Sequence, residues 1–403
     1  MNRTLIVAGY GMAGHRLVEE LRSLDTAGVW RIVVLAEEPH PAYDRVALSS
    51  YLDGRSAADL ALAAPGFFDD PLLELRLSTG VDRVDRAART VTTTTGEVIG
   101  YDALVLATGS RPFIPPVPGH DLPGCYGYRS LGDLDAIRAA AVPGRPGVVI
   151  GGGLLGLEAA NALRLLGMEP HVVELAPRLM PLQVDPDGGE VLAQHVRDRG
   201  LRIHCGVATA AIEAGPDGRA SGVALADGST LEAAVVVFSA GVRPRDELAG
   251  PAGLATGERG GILVDEYCRT QDDHIWAIGE CAAVAGRCYG LAAPGYRMAA
   301  SVARQLLGLE GEPFGEADMS TRLKLLGVEV ASFGDAHAST AGALELSRRD
   351  GAAGTYAKLV LDGDGRTLLG GVLVGDAGAY GELQPFLGRG VPAAGHRLLA
   401  GTR

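Results

Sequence analysis

The stretch Val148–Ala160, "VVIGGGLLGLEAA", decides the fold. Val148 to Ile150 read as a buried strand, Gly151, Gly153 and Gly156 follow in G-x-G-x-x-G spacing, and a helix carries Ala159, Leu163 and Leu166 on one face. Glycine is required here because side chains would keep the backbone from a pyrophosphate and the helix from the strand. Backbone N–H groups and the positive end of the helix, opened by Leu154 and Leu155, then hold the phosphates. The next strand, "PHVVEL", ends in Glu174, a carboxylate placed to accept hydrogen bonds from ribose hydroxyls. Such a turn usually begins a domain, yet this one stands deep inside the chain.

The amino terminus repeats the device. "TLIVAGYGMAG" (Thr4–Gly14) is a strand, then Gly9, Gly11 and Gly14 with Met12 and Ala13 at the helix start, and "RIVVLAEE" ends in Glu37 and Glu38. The first glycines are 151 − 9 = 142 residues apart, about one domain. One such spacing in a chain with 58 glycines is weak evidence; two, each with strand, helix and acid in place, are strong. A second nucleotide unit is therefore inserted in the first, which must resume downstream. "YDALVLATGSRP" (Tyr101–Pro112), with Ala107, Thr108 and Gly109, is where the chain leaves it. "TQDDHIWAIGECA" (Thr270–Ala282), with Gly279 and Glu280, is where it returns, and "VVVFSAGVRPR" (Val235–Arg245), with Ala240 and Gly241, closes the insert.

The expected fold class is α/β: two Rossmann-like, three-layer dinucleotide-binding domains, one inserted in the other, plus a C-terminal α+β domain. The boundaries read as 1–118 with 246–313, 119–245, and 314–403. The last region alternates apolar and polar residues, as in "YAKLVL" and "LLGGVLV", and predicts an antiparallel sheet with one or two helices.

The formal charge of −13 over 403 residues argues against a nucleic-acid partner. No apolar run approaches the roughly 18 residues of a membrane span and no cleavable leader precedes the first strand, so a cytoplasmic protein is expected. The five cysteines (Cys125, Cys205, Cys268, Cys281, Cys288) are scattered without a C-x-x-C pair, which reads as reduced structural thiols and no metal site. Lysine occurs only at Lys324 and Lys358.

The order fingerprint, ATG, fingerprint, GE resembles the two-dinucleotide flavoprotein reductases. "EEPHPAYDRVALSSYL" (Glu37–Leu52), "GGGLLGLEAANAL", "IWAIGECA", "YGLAAPGYRMA" (Tyr289–Ala299), "STRLKLLGVEVASFGDAHA" (Ser320–Ala338) and "LLGGVLVGDAGAYGEL" (Leu368–Leu383) narrow it. Together they resemble the N-terminal half of the large subunit of NAD(P)H-dependent assimilatory nitrite reductase, over nearly the whole chain. That family continues into a cysteine-ligated 2Fe–2S module and a sirohaem domain, and this chain has no such cysteines. The resemblance thus implies an electron-input component: hydride passes from NADH to FAD, then electrons to a separate acceptor. An iron–sulfur or sirohaem protein, a ferredoxin-like protein and a biosynthetic enzyme all stay open as that acceptor. The alternative is a nucleotide-responsive interaction protein that binds FAD and NAD(H) with little turnover.

The resemblance also assigns residues. Glu37, with Glu38 beside it, would bind the FAD adenosine ribose, Arg45 would pair with the pyrophosphate, and Glu280 would contact the ribityl chain or pyrophosphate. Ser49 lies beside the flavin, and Val81, Leu291 and Pro294 complete that set, with a helix start near Pro294 facing the flavin pyrimidine. A solvated loop charge is the other reading of Arg45. Glu158 would lie near the flavin without the lysine that relatives place at Ser50, so burial would raise its pKa; helix packing is its alternative. Glu174 favours the free ribose diol of NADH, while Arg178, were it to swing to the ribose, would accept the 2′-phosphate of NADPH. Met298, Val302 and Cys281 read as core, and His337 as a turn or interface residue. The C-terminal region is where related reductases often make the contact of a homodimer.

Overall fold

The computed structural model describes residues 2–315 and 317–400. The chain forms two compact units, one of residues 1–111 and 242–317, the other of residues 112–241 and 318–403.

In the first unit a parallel sheet runs in the order Ile275–Ala277, Ala103–Leu106, Arg3–Ala8, Trp30–Leu35, Leu73–Arg76. Leu5, Ile6, Val7, Val33, Val34, Leu104 and Val105 are wholly buried. Such continuous apolar runs are what a parallel strand needs when both its faces are covered. The helix Met12–Leu24 turns Leu17, Val18 and Leu21 inward and packs on the helix Ala292–Leu306, which buries Met298, Val302 and Leu306. Trp30 Nε1 donates to the Leu306 carbonyl at 2.9 Å and so ties the end of that helix to the sheet. Truncating a wholly buried leucine such as Leu17 to alanine would cost about 2–5 kcal/mol.

The second unit repeats the plan. Its parallel sheet runs Arg202–Cys205, Glu169–Glu174, Pro146–Ile150, Val235–Phe238, Cys125–Gly127. In both sheets the strand feeding the glycine turn lies between the strand that ends near an acid and the strand that ends in a small-residue turn. Each copy also has a three-stranded antiparallel meander, Val81–Asp85, Thr90–Thr93, Val98–Gly100 in one and Thr209–Ala214, Ala220–Leu225, Thr230–Glu232 in the other. The repeat therefore extends well beyond the glycines.

Residues from Thr321 form an antiparallel sheet in the order Thr321–Leu325, Val328–Gly334, Leu368–Gly375, Thr355–Leu361, Leu344–Asp350, with helices Tyr380–Leu383 and Ala393–Ala400. This is the sheet with helices that the alternation implies. One detail differs from simple alternation: Thr355–Leu361 is buried from Tyr356 onward, Lys358 included, because the helix Pro186–Asp198 packs against it. Among the described residues no helix is long and apolar enough to cross a membrane.

Candidate functional site

The two glycine turns solve one problem in one way. Gly9 has φ +107° and Gly151 φ +116°, and a Cβ on either would strike backbone, the Ala107 carbonyl in the first case and the Ser239 carbonyl in the second. These are crossings of strand and turn that only glycine permits. Gly14 and Gly156 lie against the carbonyls of Gly9 and Gly151, so the third glycine sets the distance between helix and strand. The middle glycines are different. A Cβ on Gly11 or Gly153 would meet nothing within 4 Å, and each caps its helix with no side-chain hydrogen bond to the first turn. Open space therefore faces a row of helix N-terminal amides in both units, as an anionic pyrophosphate requires.

Around the first turn, Gly109 (φ +73°) is also open, and the Thr108 hydroxyl donates to the Arg245 carbonyl at 2.5 Å. Met12 and Ala13 begin the helix, and a Cβ on Gly279 (φ +74°) would stand 3.0 Å from that of Ala13. Gly295 touches both, so the helix capped by Leu291, with Pro294 in its first turn, brings a second uncapped N-terminus to the same place. Glu280 accepts a hydrogen bond from Ser110 Oγ at 2.8 Å. Arg45 is ion-paired with Glu38, donates to Tyr43 Oη at 2.7 Å and lies over the Tyr43 ring. Burial pulls the Arg45 pKa down, but Glu38, Tyr43 and the more remote Glu280 together carry it above its ordinary value. Glu37 forms an ion pair with Arg245. Ser49 lies in the short helical turn Leu48–Tyr51, and Val81 starts its strand next to Gly80, whose neighbours include the Glu37 side chain. Tyr10, inside the turn, is buried against His15 with Oη 2.9 Å from Nδ1; burial raises the tyrosine pKa and lowers that of the histidine, so both are neutral.

Around the second turn, both oxygens of Glu174 accept backbone N–H groups, from Gly152 at 2.6 Å and Ala176 at 2.7 Å. A carboxylate has about four acceptor positions, so room is left for a ribose diol. Arg178 does not reach toward it. Its Nε donates to the Val184 carbonyl at 2.9 Å and Nη2 to the Pro181 carbonyl at 3.3 Å, and its stem covers Gly189. Gly241 (φ +109°), after Ala240, is open like Gly109. Leu154 and Leu155 start the helix, and Glu158 is half-buried one turn on. Ser110, Tyr43 and Arg245 were not singled out by sequence, although the "ATGS", "YDR" and "RPR" segments contain them.

The thiols take no part in this arrangement. Burial pushes Cys125, Cys205 and Cys288 up to about 11 and Cys268 to about 12, and it raises the wholly buried Cys281 as well. Reactive cysteines have the opposite displacement.

Two cradles of open glycine and helix amides, each with an acid at the neighbouring strand end, fit FAD in the first unit and a nicotinamide nucleotide in the second. They define an NAD(P)H-dependent flavoprotein oxidoreductase. Residues 3–305 match the model of the pyridine nucleotide-disulphide oxidoreductases and residues 320–390 that of the rubredoxin NAD+ reductase C-terminal domain. The chain belongs to the pyridine nucleotide-disulphide oxidoreductase family. It is 50% identical over 392 residues to the nitrite reductase NAD(P)H large subunit of Klebsiella oxytoca, covering 97% of this chain and 41% of that one. The assimilatory nitrate reductase electron transfer subunit of Bacillus subtilis is 35% identical over 380 residues, 92% of this chain and 47% of its own. The chain thus spans less than half the length of either relative. Among solved structures, the ferredoxin reductase for the CYP199A2 system of Rhodopseudomonas palustris superposes with a TM-score of 0.85 at 31% identity, covering 99% of this chain and 97% of that one.

Proposed function

We propose that this chain is an electron-input module of the cytoplasm that oxidises NADH and passes the electrons to a separate protein. The observation that carries the reading is the pair of open middle glycines, Gly11 and Gly153, each at an uncapped helix start. Bound FAD would supply the hydride-accepting and electron-releasing chemistry, which belongs to the cofactors. What the chain supplies is binding and orientation. Residues 1–118 with 246–313 would hold FAD, 119–245 the nicotinamide nucleotide, and 314–403 would form the cap.

In the first unit the amides after Gly11 and those after Leu291 stabilise negative charge through two helix ends. Glu37 accepts from the adenosine ribose and Arg45 offers its guanidinium to the pyrophosphate. Glu280 is oriented by Ser110, and Thr108 and Gly109 keep the turn clear of side chains. In the second unit Glu174, fixed by two amides, receives the ribose diol and repels a 2′-phosphate. Arg178, held on two carbonyls, is not available to reverse that preference, which supports NADH as donor.

We take the acceptor to be a separate redox protein, of which an iron–sulfur or sirohaem protein, a ferredoxin-like protein and a biosynthetic enzyme are the candidate classes. The similarity to a nitrate reductase electron transfer subunit supports transfer to a partner rather than to a substrate bound by this chain. The test is anaerobic mixing of the yellow protein with NADH, followed by ferricyanide, then nitrite. Bleaching within seconds and rapid ferricyanide reduction without ammonia are expected; stoichiometric ammonia from this chain alone would overturn the assignment.

A further inference from the structure

The segment Leu175–Asp185 forms the outer wall beside Glu174, and its hold on the unit is unusual. Met180, at its centre, has φ +47°, a left-handed conformation that a side chain adopts at a cost. Something must over-determine it. One tether is local, the Met180 N–H donating to the Gly152 carbonyl at 2.9 Å. Within the segment the Gln183 and Val184 N–H groups donate to the Met180 carbonyl at 2.9 and 3.0 Å, and the Gly206 N–H donates to the Ala176 carbonyl at 2.8 Å. Further anchors, on its outer end, come from the C-terminal sheet. His337, in the "GDAHA" turn, donates from Nε2 to the Leu182 carbonyl at 2.9 Å. Tyr356 Oη donates to Asp185 Oδ2 at 2.6 Å, and Lys358 Nζ stands 3.0 Å from the same oxygen while also meeting Glu345 at 2.8 Å. Asp185 in turn caps the helix Pro186–Asp198 through the Gly188 N–H. Between the two anchors, Leu182 and Asp185, lies Val184, whose carbonyl holds Arg178.

From this geometry we propose that the C-terminal sheet is a specificity element for the nucleotide. His337 and Tyr356 act as positioning residues that fix the 175–185 segment, keeping Arg178 on its carbonyls and away from the ribose that Glu174 receives. The inference rests on the reading of Glu174 as the ribose acid. Loosening either anchor frees the Val184 carbonyl to move, and a released guanidinium in reach of the ribose attracts a 2′-phosphate. The predicted effect is thus on the choice between nucleotides, not on folding.

The experiment measures NAD+ and NADP+ dissociation constants by calorimetry on the FAD-loaded protein, with amide exchange across residues 176–184. Tyr356→Phe removes one hydroxyl without a cavity, and His337→Ala acts at the exposed anchor, so both variants are suited to retain the fold. Loss of one such hydrogen bond should narrow the NAD+ over NADP+ preference roughly 3- to 10-fold. Exchange should quicken in residues 176–184 only, and Arg178→Gln added to Tyr356→Phe should abolish the gain in NADP+ affinity. Equal weakening of both nucleotides, an unchanged ratio, or a gain that survives Arg178→Gln would overturn the proposal. Glu174→Ala separates the two levels. If it moves the ratio while the anchor variants do not, only the specificity role falls; if it leaves the ratio flat, the ribose reading falls first.

Discussion

The two nucleotide sites share a turn but not a manner of construction. The second is nearly contiguous: glycines 151–156, Glu174 and the 175–185 segment follow one another, with residues 239–241 added from the neighbouring strand. Its acid is fixed by amides of its own turn and of the next residues, Gly152 and Ala176. The first site, as we propose it, draws on residues 9–14, 37–45, 107–110, 245, 279–280 and 291–295, and its acid, Glu37, is met by a side chain, Arg245. A ligand touched by many separate segments binds only when all of them are folded, so its binding stabilises them together. That is the physical profile of a resident cofactor. A carboxylate fixed beforehand in a short contiguous site suits a substrate that comes and goes.

The largest expected effect would break both halves of the comparison at once. Gly14→Val and Gly156→Val put side chains against the carbonyls of Gly9 and Gly151, and each should cost more than about 4 kcal/mol. Little soluble protein, or a melting midpoint far below the parent's, is the readout. The middle glycines should separate the sites instead. Gly11→Val has room for its side chain, so the protein should fold yet purify colourless, whereas Gly153→Val should stay yellow and bind NAD+ at least about 100-fold more weakly. Equal loss of flavin from both would show that the turns are not independent.

Smaller shifts sharpen the contrast between the acids. Glu174→Ala should move the ratio of flavin reduction by NADH and NADPH several-fold toward NADPH, about 1 kcal/mol, as read by stopped-flow absorbance. Glu37→Ala should leave that ratio alone and lower flavin content. The smallest effect is acid sensitivity confined to the second unit. His171 stacks on His204 with Nδ1 3.1 Å from its Nε2, and burial, with His204 and Arg202 adding, pushes its pKa down to about 4. An unfolded histidine titrates near 6.5. The unfolded chain therefore binds the extra proton as pH falls from about 6.5 toward 4, and stability contributed by the neutral ring is lost over that window. Unfolding free energies from urea titrations at pH 7 and pH 5 should differ by about 1–2 kcal/mol less in His171→Asn than in the parent.

What could be read in the sequence follows from how narrowly physics constrains each residue. Gly9, Gly14, Gly151 and Gly156 face backbone, where no other residue fits, so their spacing, repeated with strand, helix and acid in place, discloses the fold. Strand-end acids follow at a distance set by one crossover, and Glu37 and Glu174 are found the same way. The Glu37–Arg245 and Glu280–Ser110 pairs are not legible, since their partners come from distant segments and any charged or polar residue in a loop looks alike. Lys358 is the sharpest case. In "YAKLVL" a lysine reads as a water-facing position, yet it is 2% exposed, because a buried ion pair and a surface charge leave the same letter in the chain. The two meanders were missed for a related reason: short, half-exposed strands carry too few apolar residues to stand out.

The inserted segment starts and stops at one place. The Phe113 N–H donates to the Gly241 carbonyl at 2.8 Å, and in the other unit the Arg245 N–H donates to the Gly109 carbonyl at 2.9 Å. Both gaps are thus already closed by hydrogen bonds, and replacing everything between them imposes almost no loop-closure cost on the host. In evolutionary terms the segment between them, which we propose reads the donor, can be exchanged as a cassette. Recombination at two neighbouring points can change which nucleotide is read while the flavin site, dispersed through the remaining chain, is inherited whole. The C-terminal sheet sets the condition for such an exchange: an incoming cassette needs a carboxylate where Asp185 stands, or Lys358 is left buried with half of its partners gone.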